Sequence, residues 1–370
     1  MMLPHTRKFR FVPLRMWLVA GLCALTWGWF AGLALACSFH TVLPEKSFSN
    51  RLTGASHIAF AREDIHRPFT FQVEHKVQGD FSNLDIPLLV DSTTRRRLNI
   101  NSGDSVLLVR SADDGSWHRL AYVHESDRDL FNRLVNAKGN WSALAGRDTR
   151  FETFAALQDH PRAALQRIAL TELDKTSYGQ LRTMDVRLSA AELQSSFNDR
   201  FGLPWVPIRI LMLGILGDAE SKSAIQRAIE RARSAGFERN LGAWSTAFIE
   251  IEGDEAINLL TREFLLSGSQ TRESIEMVLT ALAVQRAQGE PSIRPTMDAN
   301  IAKFLAAAPE FAPLVAKAFG AQNDYAYSSV LRETMKSGKL RNPRDLILVA
   351  SYLSLAKEVV GEKSAVVQSQ

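Results

Sequence analysis

WVPIRILMLGILGD, residues 205–218, decides how the chain is built. Pro207 suits the first turn of a helix, where a missing N–H breaks no bond. Ile208, Ile210, Leu211, Leu213, Ile215 and Leu216 leave that helix almost no polar face. A helix apolar on most sides must be enclosed by neighbours. Gly217 and Asp218 then stop it. Ala224, Ile225, Ala228 and Ile229 mark a second, one-sided helix, with Arg227, Glu230 and Arg231 on its wet face. The unit is a helix hairpin.

The pattern returns 36 residues later, the spacing from Gly217 to Gly253. Ala243 and Trp244 lead to Ile251, Gly253-Asp254 stops the run, and Ala256, Ile257 and Leu260 follow. Helix pairs at such a period typify α-solenoids, because one pair cannot bury its apolar face alone. Residues 271–285 answered by 297–307, and 313–319 answered by 328–336, extend the series, and 162–174 reads as an entry helix. A non-repetitive helical domain is the competing reading. Leu213-Gly214, Gly217-Asp218 and Ala224-Ile225, echoed by Gly253-Asp254 and Ala256-Ile257, give this half of the chain a resemblance to HEAT-like repeat proteins. The resemblance implies a curved scaffold for binding and transfers no active site.

The first 36 residues read as a targeting segment. Arg7, Lys8, Arg10 and Arg15 precede an uncharged run from 16 to 36, and Ala34-Leu35-Ala36 fits a small-x-small cleavage site. The run is long enough to span a bilayer if it stays uncut, so a signal peptide and a signal anchor both stand. Without these four basic residues, the 44 Lys and Arg become 40 against 40 Asp and Glu. A balanced mature chain gives no footprint for nucleic acid. Arg95-Arg96-Arg97 is its tightest basic run and reads as a solvated turn or strand edge. Of the two cysteines, Cys23 lies in the apolar run and Cys37 follows the expected cut after Ala36, so a cleaved chain forms no internal disulfide. Ala36 and Cys37 are the processing candidates, with lipidation of Cys37 one outcome and plain cleavage another.

Residues 37–138 change character. The runs 56–62, 69–77, 86–90, 104–110 and 117–122 are short, apolar or alternating, and bounded by turn residues; Asp113-Asp114-Gly115-Ser116 is a hairpin turn. Five strands suit a small barrel. Cys37-Ser38-Phe39, the strand running into Gln78-Gly79 and the run from Gly103 to Val109 resemble the netrin-like branch of OB-fold domains, seen in tissue inhibitors of metalloproteinases. That resemblance implies an OB-like barrel and a protease inhibitor acting through the Cys37 terminus. Residues 139–160 read as a junction, 161–357 as the helical repeat domain and 358–370 as a disordered tail. The fold class expected is therefore α+β and multidomain: a small OB-like β-barrel followed by an all-α, HEAT-like helical-hairpin solenoid.

Chemistry is sparse. His5, His40, His57, His66, His75, His118, His124 and His160 all precede the array, and none is spaced H-x-H or H-x-x-x-H. No nucleophile elbow, phosphate loop, HExxH or dinucleotide fingerprint occurs. Catalytic, metal and cofactor-binding residues are accordingly expected to be none. Trp205 and Trp244 are candidate partner-binding anchors if exposed and core residues if buried. The expected function is an exported, periplasmic or envelope-associated scaffold without catalysis, binding a protein partner and reaching the membrane through its N-terminal segment. An envelope hydrolase or metal-dependent enzyme, with its site among the histidines, is the alternative.

Overall fold

The computed structural model describes residues 43–368, except 45, 83, 142–145 and 236–238, with side chains described to 359. The expectations for the leader, for Ala36 and for Cys37 fall outside the described residues. Helix α1 (Phe48–Thr53) leads into strand β1 (Ala55–Glu63), followed by β2 (Phe71–Gln78), α2 (Ser92–Ile100), β3 (Ser105–Ser111), β4 (Trp117–Val123) and α3 (Arg128–Ala137). The strands form one antiparallel sheet in the order β2-β1-β3-β4.

The sheet is open and does not close into the expected barrel. Helices take the place of opposing strands. One face carries Ile58, Phe60, Leu107 and Val109 against Phe48, Leu52, Phe131 and Leu134 of the helices. The other carries Ala61, Val106 and Leu108 against Ile86, Val90 and Leu98. Covered on both faces, β3 shows an unbroken buried run from Ser105 to Val109, as central strands enclosed by helices do. The fifth expected strand, 86–90, makes a single bridge, from Leu89 to Thr70. Pro87 has no N–H to continue a ladder. The arginine run lies on α2, capped by Asp91 accepting from the Thr94 amide, and is neither turn nor strand edge.

The hairpin turn forms as expected, with Gly115 at φ +70°. The Ser116 hydroxyl and amide donate to the Asp114 carboxylate at 2.7 and 2.9 Å. These bonds, the hydroxyl first, hold Asp114 down at a pKa of about 2. Asp114 is thus expected to titrate well below the ordinary carboxylate range, with its share of hairpin stability present above the unfolded pKa of 3.8 and lost as pH falls through about 2. A carboxyl NMR titration from pH 5 to 1.5 checks this; a midpoint near 3.8 would contradict it.

After α3 come α4 (Gly146–Ala155), α5 (Ala163–Asp174), α6 (Tyr178–Leu181) and α7 (Ala190–Ser195). Trp141, Phe154 and Leu157 pack on the sheet while Phe151 joins the helical core, so the junction serves both. A polar tie reinforces it: buried Glu172 of α5 accepts from the Ser49 amide and hydroxyl at 2.7 and 2.6 Å.

The array then runs α8 (Val206–Leu216), α9 (Ala219–Ala235), α10 (Leu241–Glu252), α11 (Asp254–Leu260), α12 (Arg272–Gln288), α13 (Arg294–Ala307), α14 (Ala312–Ala321), α15 (Ser328–Lys336) and α16 (Pro343–Gln368). Helices α8, α10, α12, α14 and α16 stack side by side in one row. They begin at intervals of 35, 31, 40 and 31 residues by subtraction. Outside them, α9 packs on α8 and α10, and α11 on α10 and α13. Gly217, at φ +61°, ends α8 in the left-handed conformation that glycine adopts without penalty. The architecture is α+β, a small open sheet followed by many helices. Helix α16 runs on through the segment read as a tail, to Gln368.

Candidate functional site

The row of first helices offers less open surface than a curved scaffold implies. Nine consecutive residues are buried in α8, from Val206 to Gly214, and nine in α10, from Leu241 to Ile249. Burial through more than two turns means enclosure on every side. Part of the cover comes from the segment before the array. Tyr178 of α6 is fully buried and donates to Glu250 at 2.8 Å, while Gln285 donates to the Tyr178 hydroxyl, the Thr246 carbonyl and Glu250 at 3.1, 2.8 and 3.1 Å. Arg182 closes the group with a 2.7 Å bond to Glu250. The sequence pattern missed this strap because Tyr178 and Arg182 lie 72 and 68 residues before Glu250.

Trp244 is 4% exposed and meets Phe197 edge-on at a centroid distance of 5.7 Å. It is core. Trp205 is half-buried, donates its indole N–H to Thr171 at 2.9 Å and carries the Arg167 guanidinium 5.5 Å from its ring. The two tryptophans form no joint surface.

A groove opens instead between the outer helices α9 and α11. Its floor is Ile229, Phe248 and Leu259, and its rim holds Glu255, Glu263 and Arg233, enclosing about 540 Å³. Close packing of α8 on α10 sets the spacing of the hairpins, and the outer helices part above the seam.

The described histidines are dispersed, and among the described residues no group of three or more His, Cys, Asp or Glu is placed to hold a metal. His57 bonds to Ser56 and the Asp80 carbonyl, His118 to Ser116, and His160 accepts from the Arg162 amide. His124 is placed differently. Its Nδ1 lies 3.0 Å from the buried Asp104 carboxylate, and its Nε2 lies 3.3 Å from an Arg97 guanidinium nitrogen. A guanidinium only donates, so Nε2 is the acceptor and Nδ1 carries the proton toward Asp104. Burial works to raise the Asp104 pKa, but the Glu125 amide, the Tyr122 hydroxyl and His124 together hold it below the usual carboxylate range. Burial, aided by Asp104, raises the Tyr122 hydroxyl. The pair orients an imidazole; no serine, cysteine or second carboxylate joins it as a nucleophile or acid within the bonds described. Sequence spacing gave no sign of it, since Asp104 and His124 meet only across the β3–β4 hairpin.

Among the described residues no single helix is long and apolar enough to cross a membrane. Comparison of the chain with family models, with curated proteins and with solved structures finds no match.

Proposed function

We propose that this chain is a non-catalytic interaction protein of the cell envelope, exported through its charged and apolar N-terminal segment, that binds a protein partner on a HEAT-like helical array. The observation carrying the reading is the single row of stacked first helices at intervals of 31 to 40 residues. Repeats that contact only their neighbours build extended surface rather than a closed pocket. Because α8 and α10 are enclosed, the surface offered is the outer one, centred on the α9–α11 groove with its apolar floor and charged rim.

The test is cross-linked capture of the full chain from native envelope fractions, wild type against a groove variant carrying Leu259→Arg and Glu255→Arg. Glu255 is exposed and Leu259 half-buried, so the melting temperature of the pair serves as the folding check. A partner held by wild type and lost by a variant of unchanged melting supports the reading. Equal capture by both, or none from the envelope, overturns it.

A further inference from the structure

We propose that the cleft between β4 and α5 is a binding site for an organic carboxylate, an anionic head on a small apolar body. The cleft holds about 520 Å³, within the range of small-ligand sites. Its wall is apolar, from Leu120, Phe131, Leu165 and Ile168, and Arg97, His124 and Arg162 line it as well. The two arginines differ. Arg162 is neutralised by Asp127, whereas Arg97 meets no carboxylate among the described residues. The Arg97 guanidinium instead lies 3.7 Å from the centre of the Tyr122 ring and spends one donor on His124 Nε2. Stacking limits the freedom of the fork and leaves donors for the two oxygens of a carboxylate.

His124 completes the site through its environment. The charged and titratable groups around it are Asp104, Arg97 and Tyr122, with Glu125 next in the chain, Asp127 one turn on, and Arg162, paired with Asp127, lining the same cleft. A carboxylate taking the remaining Arg97 donors lies beside the His124 ring, whose Nδ1 stays bonded to Asp104 and whose Nε2 stays on Arg97, so the imidazole holds the guanidinium in place for the ligand. The apolar wall selects an organic acid over a bare inorganic anion. This assignment is independent of the helical array.

Calorimetric titration of the folded chain at pH 6 tests it, with benzoate as a free acid, N-acetyl-leucine as the mimic of a chain terminus, benzyl alcohol as the uncharged analogue and inorganic phosphate as the anion without an apolar body. Binding of benzoate or N-acetyl-leucine, at least tenfold tighter than the alcohol and phosphate, is expected, and the tighter of the two acids identifies the source of the ligand. Arg97→Ala should weaken the acid about tenfold or more, as loss of a charge-assisted bond does. Arg97 is exposed, and Arg97→Gln keeps a planar side chain, so two variants of unchanged melting guard against misfolding. Saturating acid should also shift the His124 ring-proton resonances at fixed pH in wild type and not in Arg97→Ala. Absence of acid binding, equal affinity for benzyl alcohol or phosphate, or affinity unchanged in both variants would overturn the proposal.

Discussion

Replacing Gly214 by valine is expected to destabilise the fold by about 3 kcal/mol, toward the upper end of what overpacking a core costs. A Cβ built on Gly214 would lie 2.8 Å from Ala247 Cα and 2.9 Å from Ala247 Cβ. The nearer atom is backbone of α10, so no rotamer change relieves the clash; the two helices must part. Gly214→Ala sharpens the test, because alanine inside a helix is otherwise favoured over glycine by up to about 1 kcal/mol. If the helices approach as closely as described, even alanine lowers the melting temperature. A rise would mean that the α8–α10 seam is looser. The seam matters beyond stability, since it sets the spacing of the first two hairpins and with it the α9–α11 groove.

Trp244→Ala is expected to cost about 3–5 kcal/mol, the range for emptying a large aromatic site in a core. Trp244 is 4% exposed, sits among the nine consecutive buried residues of α10 and packs on Phe197 from the segment before the array. Denaturant unfolding should show a lower midpoint. Were Trp244 a surface anchor for a partner, the substitution would leave stability within about 0.5 kcal/mol and weaken only binding. The outcome therefore decides between the two roles that its sequence position leaves open.

The helical half was legible because its signals are local. Apolar periodicity located α8, α10, α12 and α15 to within a few residues, and Gly217 and Gly253 marked their stops through their tolerance of positive φ. Four strands were legible from alternation and turn residues, down to the Asp114-Gly115 hairpin. Helix α3 was readable but missed: Phe131, Leu134 and Val135 at i, i+3 and i+4 make a one-sided helix inside a stretch otherwise read as β. Expecting a barrel hid it.

By itself, then, the sequence determined the α+β order, the succession of helices after the sheet, the balance of charge outside the first 36 residues and the shortage of catalytic motifs, all of which depend on residue type and short spacing. Tertiary structure alone decided that the sheet stays open, because one face is filled by helices α1 and α3 and the other by the segment carrying Ile86 and Val90 together with α2. It alone enclosed α10 beneath Tyr178 and Phe197, and it alone set His124 between Asp104 and Arg97. The contacts of Tyr178, Phe197 and His124 join residues 20 to 72 positions apart, where period and propensity carry no information and only packing selects which side chains meet.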